Sequence, residues 1–508
     1  MDQTISRRNF IVAAAAATAA APLALGALGA APEARAEEAT TRSYPWSPGF
    51  ENLEAERSYE VEVEGKVPAA LNGTLFRNGP GINKIAGQWL AHWFDGDGML
   101  SAIRFAGGGV HYQNRYVMTP KHIDETSAGK VLYRGFGTMK PGGIFTNALR
   151  GPENASNTSV VYHGGKLLTL WEGGPPYRIN PADLSTGGLD DFGGQVPVFS
   201  AHPKIDPRTG ELFNFGMIYG RTNQVQIYRI TRDGKLDRFP AIEMPWSVMN
   251  HDFVITEKYL VFCFSPIMFN GIKMMLGFGS FDGELSWNGN RPTRILLVPR
   301  DRASQPKWID AEPFFQFHFA NGYDDGGSVV VDIARYADYS TPGEEVRNFW
   351  KTDWPSRGGA QMTRLTIDPS GGKAESRALA DREATEFPRI DPRRYGSAYR
   401  FLYVAAAAPG ATRGFQQTIA RVDTTTGEVG SHDFAPNGYV GEPVFIPAAG
   451  GAEDDGYVVT LVLDASTKRT DIVILDARDI AAKPLAVAHL THHVPFGFHG
   501  FFTDRSFT

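Results

Sequence analysis

From about Tyr59 onward, short apolar runs of strand length alternate with clusters of Gly, Pro, Asn and Asp, and this alternation directs the chain to an all-β fold. SYEVEVEG, GTLFRNG, SVVYHGGKLLTLWEG, NQVQIYRITRDGK, YLVFCFS, GSVVVDIARY, QMTRLTIDPSGG, YVVTLVLDA and TDIVILDA are such runs. Arg232-Asp233-Gly234, Pro369-Ser370-Gly371-Gly372 and Thr425-Thr426-Gly427 mark turns between them. An aromatic content of 12%, with 56 Gly and 33 Pro, suits strands joined by tight turns better than long helices. INPADLST and IDPRTGELFNFG read as outer hairpins of propeller blades. Four-stranded blades divide the chain beyond its leader into about seven units of roughly 65 residues, and this argument alone leaves six or eight open.

Two stretches break the pattern. Residues 265–285 carry Met268, Phe269, Met274, Met275, Leu276 and Phe278 in a Gly-broken context. They read either as a buried insertion over the propeller face or as an exposed apolar patch for a membrane or a greasy substrate. Residues 134–150 read as a loop.

The first 36 residues stand apart from the fold. Ser6-Arg7-Arg8-Asn9-Phe10-Ile11 reads as a twin-arginine export signal, followed by an Ala-rich apolar stretch and Ala34-Arg35-Ala36 as a cleavage site. An uncleaved anchor is the competing reading, opposed by the many Ala and two Pro. Cleavage predicts a mature domain over 37–508, exported to the periplasm, soluble or peripherally attached to a membrane. Removing three basic and two acidic groups takes the net charge from −6 to −7. No basic block stands out, so nucleic acid is not an expected partner. Cys263 is the single cysteine, which rules out an internal disulfide and thiolate metal sites. Any metal must be held by His, carboxylate or carbonyl groups. No flavin, haem or nicotinamide motif is visible.

Of the 12 histidines, no pair has the spacing of a helical metal motif. Taken singly, each is more readily a surface or core residue than a ligand. Four have a common setting: His202 in FSAHPKIDPRTGEL, His251 in MNHDFVIT, His318 in FFQFHFANGYDD and His499 in PFGFHGFF. All are flanked by apolar residues at or between strand-like runs, far enough apart to fall on different blades. The innermost strands of a propeller face one axis, so distant single histidines can converge on one ion without a local motif.

Ordered matches then identify a resemblance. They begin with Asn72-Gly73-Thr74-Leu75-Phe76-Arg77-Asn78-Gly79-Pro80, His92-Trp93-Phe94-Asp95-Gly96-Asp97-Gly98-Met99 and Asn114-Arg115-Tyr116-Val117. Leu170-Trp171-Glu172-Gly173-Gly174-Pro175-Pro176-Tyr177, SAHPKIDPRTGE, NHDF and the His-x-x-Asn of His318 to Asn321 follow. Gly441-Glu442-Pro443-Val444-Phe445 and VPFGFHG close the series. From about Val61 onward the chain resembles the carotenoid cleavage oxygenase family, also called the retinal pigment epithelial membrane protein family, in its apocarotenoid oxygenase-like bacterial form. The resemblance implies a seven-bladed β-propeller under a dome of loops and short helices. It implies Fe(II) held by His202, His251, His318 and His499, with Glu172, Glu386 and Glu442 bonded behind them. Four neutral imidazoles leave the iron dipositive with positions open for dioxygen, and a carboxylate on the far ring nitrogen fixes each imidazole. His492 and His493 are set aside because the family's Gly-Phe-His-Gly pattern selects His499.

Two more positions carry over. Thr158 matches a small residue that crowds one open iron position and helps steer dioxygen; its plain reading is a strand residue with no role. Trp171 matches a substrate-facing position where stilbene-cleaving members tend to carry a Lys for a phenolate. A Trp offers apolar surface instead. The resemblance therefore implies a dioxygenase that splits one double bond of a carotenoid or apocarotenoid into two carbonyl products. A stilbene-cleaving dioxygenase, a retinoid-type isomerase and a non-catalytic periplasmic propeller are the alternatives. Dioxygen and an apolar polyene or stilbene are the expected partners, with residues 265–285 in peripheral contact with a membrane.

Overall fold

A strand that is apolar on both faces has to be covered on both, and Tyr259–Phe264 shows how this chain does it. Leu260, Phe262 and Phe264 pack against Phe213, Phe215, Val225 and Ile227 on one side. Val261 and Cys263 point the other way, against Phe319, Val329 and Val331. This period of two, repeated from sheet to sheet, stacks the strands into a ring. The computed structural model describes residues 44–507 except 245, 247, 352–358, 383, 412 and 413. The leader and cleavage site expected within residues 1–36 lie outside the described residues.

Seven antiparallel sheets of four or more strands form the seven blades. Blade 1 contains Arg57–Glu60, Gly73–Ile82, Asp97–Ala106, Gly109–Tyr116 and, from the other end of the chain, Gly500–Thr503. Blade 2 runs from Ser159–His163 to Thr186–Leu189, blade 3 from Lys204–Ile205 to Ile242–Glu243, and blade 4 from Val254–Ile255 to Lys307–Ala311. Blade 5 spans Phe315–Asp325 to Lys373–Ala378, and blade 6 spans Thr385–Arg389 to Val429–Asp433. Blade 7 spans Gly438–Val440 to Ala486–His489 and takes Glu62–Gly65 as its outer strand. The expected seven-bladed all-β propeller is the fold.

Closure is double. Gly500–Thr503 pairs with Gly73–Ile82, while Glu62–Gly65 pairs with Ala486–His489. Each seam thus joins the two ends of the chain. Gly79 and Gly497 are required there, because a Cβ on Gly79 would lie 2.4 Å from the Gly497 Cα. A separate buried apolar cluster fills the gap between each neighbouring pair of blades. Leu75, Ile103, Val459 and Ile472, for example, lie between blades 7 and 1, and Val161, Leu168, Leu212 and Tyr228 between blades 2 and 3.

INPADLST is an outer hairpin, between Tyr177–Ile179 and Thr186–Leu189 of blade 2. IDPRTGELFNFG is not: it joins Lys204–Ile205 to Leu212–Ile218, the innermost pair of blade 3. The turn chemistry is the same in both places, and only the position of the blade boundary separates them.

Short helices over Pro120–Ala128, Ile144–Asn147, Gly271–Met275 and Ser340–Val346 occupy connections and build the dome. Residues 265–285 are partly buried and partly exposed. Phe269 and Met274 are buried, whereas Ile272 and Phe278 are 69% and 64% exposed. Residues 134–150 are not wholly a loop; they contain the helical turn Ile144–Asn147, which carries Phe145 at 92% exposure. The Arg134 guanidinium locks the two segments together by donating to the carbonyls of Asn147, Arg150, Met274 and Gly279. Among the described residues no helix is long and apolar enough to cross a membrane. Cys263 is buried, and burial raises its thiol pKa far above the ordinary value.

Because the inter-blade clusters hold the ring, Phe262→Ala is expected to cost about 3–5 kcal/mol of stability. A lowered chemical-denaturation midpoint checks this; an unchanged midpoint would mean that the cluster between blades 3 and 4 is not holding them.

Candidate metal centre

The innermost strands carry the chemistry. His202 lies two residues before the inner strand of blade 3, His251 three residues before that of blade 4, and His499 immediately before the closing strand of blade 1. His318 lies within Phe315–Asp325 of blade 5, beside a register shift in its pairing. His499 is fixed through its backbone: its carbonyl accepts from Asn78 N at 2.9 Å and its N–H donates to Thr158 O at 3.2 Å. The RNGP and GFHG matches are therefore two sides of one contact.

All four imidazoles are buried, with one nitrogen from each within 4.8 Å of every other. Their Nε2 atoms converge: 2.8 Å from His202 to His251, 3.3 Å from His251 to His318, and 3.2 Å from His318 to His499. Such separations suit neighbouring nitrogens about 2.1 Å from one ion.

The outward nitrogens explain the inward ones. His318 Nδ1 donates to Glu386 Oε2 at 2.5 Å, and His499 Nδ1 donates to Glu442 Oε1 at 2.8 Å. His251 Nδ1 pairs with Glu172 Oε1 in the same way. A carboxylate can only accept, so the proton sits on Nδ1 and the Nε2 lone pair points to the centre. His202 lacks this arrangement; its Nδ1 lies 3.8 Å from Asp252 Oδ1. Burial, then the neighbouring imidazoles and Lys204, hold its pKa well below the ordinary histidine value. Burial also lowers His499 to about 3, against the opposing pull of Glu442. For His251 burial acts in the same sense, but Glu172 overcomes it and the pKa is raised.

The carboxylates are anchored in turn. Glu442 accepts from Arg77 Nη1 at 2.6 Å, Arg389 Nε at 2.8 Å and Gly500 N at 2.8 Å. Burial alone would raise its pKa; Arg389, His499 and Arg77 reverse that and hold it far below the usual carboxylate range. Glu386 accepts from Tyr336 Oη at 2.8 Å and from Phe387 N at 2.9 Å. Burial opposes its ionised form as well, and His318 overcomes it. Four neutral imidazoles with inward lone pairs fit a divalent cation and place no negative charge directly on it.

A cavity of about 2810 Å³ reaches the centre, and His251, His318 and His499 form part of its wall. Trp171, Phe317, Tyr219 and Phe498 line it too, as does Thr158, whose Oγ1 donates to Asn157 Oδ1 at 3.0 Å. Phe387 stacks on the His318 ring at 5.3 Å. The structure thus brings together every site residue expected from the sequence. His492 and His493 bond elsewhere, to Tyr59 and to the Glu51 carbonyl.

Sequence reasoning missed Arg77, Arg389, Tyr336 and Asp252. Asp252 accepts from Lys204 Nζ at 2.8 Å, Phe253 N at 2.7 Å and Phe319 N at 2.9 Å. It therefore ties together the chain segments beside His202, His251 and His318. Arg77 and Asp252 stand inside the matched motifs RNGP and NHDF, but nothing in a linear motif says which partner each meets.

The profile of the retinal pigment epithelial membrane protein family matches residues 49–504. The chain is 37% identical to the apocarotenoid-15,15'-oxygenase of Synechocystis, over 90% of this chain and 96% of that one. It is 31% identical to resveratrol cleavage oxygenase 1 of Aspergillus fumigatus, over 88% and 92% of the respective chains. A solved structure of cobalt-substituted Synechocystis ACO superposes with a TM-score of 0.85 at 35% identity, covering 90% of this chain and 98% of its own. With this fold, this centre and these likenesses, the chain belongs to the retinal pigment epithelial membrane protein family, that of the carotenoid cleavage oxygenases.

Proposed function

We propose that the protein is an Fe(II)-dependent dioxygenase that cleaves one carbon–carbon double bond of a carotenoid or apocarotenoid into two carbonyl products. The observation that carries this reading is the opening of three of four converging imidazoles into a large cavity lined in part by aromatic rings. Iron, when bound, supplies the activation of dioxygen at a dipositive centre. His202, His251, His318 and His499 hold it through Nε2. Glu172, Glu386 and Glu442 keep Nδ1 protonated on their histidines and so hold each ring's orientation. Trp171, Phe317 and Phe498 give a polyene apolar surface along which its double bond is aligned, and alignment is the main contribution asked of the protein. Thr158, on the same wall, narrows the space beside the centre.

A stilbene is the second reading, favoured by the likeness to the resveratrol oxygenase. Trp171 weighs against it, since an indole cannot hold a phenolate as an ammonium does. Aerobic incubation of the iron-loaded chain with carotenoids, apocarotenals and phenolic stilbenes, with mass identification of products, tests both. A polyene is expected to give two carbonyl fragments, each with an atom from labelled dioxygen, and nothing without oxygen. Turnover of stilbenes alone would favour the second reading. Oxygen-independent conversion would point to an isomerase, and no product from any substrate would leave a binding scaffold.

Glu172 offers the cleanest test of the carboxylates, because its side chain is 31% exposed and folding depends on it least. Glu172→Gln is expected to weaken iron affinity or activity by ~10–100-fold. Iron per chain after dialysis measures this, and full retention of both would sink the assigned role.

Export by the twin-arginine route and peripheral membrane contact complete the proposal. Phe145, Leu149, Ile272 and Phe278 supply an exposed apolar patch, and Leu149 and Ile272 also line the cavity. A greasy substrate could pass there from bilayer to cavity without crossing water. The mature chain is expected to begin near Glu37, to fractionate with the periplasm and to float with lipid vesicles. Retention of the leader in the cytoplasm would refute export. Cleavage of detergent-dispersed substrate without vesicle binding would refute the membrane role.

A further inference from the structure

We propose that Glu345 forms a polar subsite in the cavity wall that takes an uncharged hydroxyl group of an otherwise apolar substrate, and so helps to set which substrates this chain accepts. This deepens the dioxygenase reading and rests on it.

Glu345 belongs to the helix Ser340–Val346, in the connection between Ser328–Tyr336 and Gln361–Asp368 of blade 5. The helix is held firmly. Pro342, Gly343 and Val346 are buried, and Arg347 just beyond it pairs with Asp282 of the dome, its Nη2 2.9 Å from Oδ1. Tyr339, at its start, donates to the same carboxylate at 3.3 Å. Glu345 is thus presented from a fixed element. It lines the cavity together with Tyr336, Val346, Ala360, Ala384 and Phe387.

Its solitude is what singles it out. Glu386, the carboxylate that acts on it, is satisfied by His318 and Tyr336, and Asp282, which anchors its helix through Arg347 and Tyr339, is paired too. Among the described residues no hydrogen bond or ion pair reaches Glu345. Its side chain is half-buried and opens on the cavity, so its ionised form is partly stripped of water without a partner to offset the loss, and such a group stays neutral or takes a ligand. Burial, and then the charge of Glu386, push its pKa up to about 8. At neutral pH it is chiefly a carboxylic acid, which can donate one hydrogen bond and accept others. The nearby Tyr336 hydroxyl cannot replace it, because its proton is committed to Glu386.

The partner chemistry follows. An anionic substrate end would meet the ionised Glu386 and lose its own hydration, so carboxylates and phenolates are disfavoured. A neutral hydroxyl meets neither penalty and satisfies the unbonded Glu345 carboxyl. A ring hydroxyl of an apocarotenoid and the un-ionised phenol of a stilbene share that chemistry, and matched pairs of substrates tell them apart.

The test uses the iron-loaded mature chain, Glu345→Leu and Glu345→Gln. The substrates are an apocarotenal with and without a ring hydroxyl, and a phenolic stilbene with its methyl ether. The readout is the ratio of kcat/KM within each pair, which does not depend on the folded fraction. In the wild type, one pair is expected to favour the hydroxylated member by about 10-fold, the scale of one hydrogen bond. Glu345→Leu should bring that ratio to about one while the other member keeps its rate, and Glu345→Gln should retain part of the preference. The pair that responds identifies the source of the hydroxyl. Equal ratios in wild type and Glu345→Leu for both pairs would overturn the proposal, as would an equal loss on both members of each pair. If the wild type cleaves none of the four, the dioxygenase reading falls, an outcome distinct from cleavage without discrimination.

Discussion

The structure depends on the cluster around Glu442. This buried carboxylate, between two strands of blade 7, is bonded at once to Arg77 of blade 1, Arg389 of blade 6, and His499 and Gly500 at the closing strand. A carboxylate in that position is stable because two guanidiniums offset its charge and an imidazole N–H and a backbone N–H complete its hydrogen bonds, and removing a partner would leave a buried polar atom unpaired. The same bonds orient an imidazole of the metal centre and seal the ring. Closure and site are therefore one piece of chemistry.

The other imidazoles are held on different terms. His318 depends on a carboxylate steadied by a tyrosine and by the backbone of Phe387, whose φ of 54° is unusual for a residue with a side chain. His251 relies on Glu172, which is the most exposed of the three carboxylates. His202 has no carboxylate hydrogen bond at Nδ1 and sits near Asp252, which spends its oxygens on Lys204 and on two backbone N–H groups. The centre combines three rings oriented by their far nitrogens with one positioned by the chain around it. Among the described residues, the three oriented rings line the cavity and His202 does not.

Much of this was legible in the sequence, for identifiable reasons. Strand and turn punctuation depends on local backbone preference, so the all-β class could be read directly, and YLVFCFS could be read as one of its strands. The four histidines could not be joined by spacing, because their proximity comes from the ring; motif likeness supplied the set. Glu386 was the least marked of the carboxylates in its linear context, and its bonds to His318 and Tyr336 appear only when blades 5 and 6 stand side by side. IDPRTGELFNFG was assigned to the wrong edge of its blade because an Asp-Pro-x-Thr-Gly turn has the same local chemistry at either edge. The helical turn Ile144–Asn147 was missed because four residues give no period to detect, and its shape depends on Arg134 bonding carbonyls more than a hundred residues away in Met274 and Gly279.

The double seam also sets an order of events. His499 stands next to the strand that joins blade 1 after all seven blades have been traversed, so a growing chain can display three of the imidazoles long before the fourth exists. Until Gly500–Thr503 docks beside Gly73–Ile82, Glu442 has no ring to orient and the pocket for the ion lacks one side. In this architecture the four-histidine site is complete only once the ring has closed.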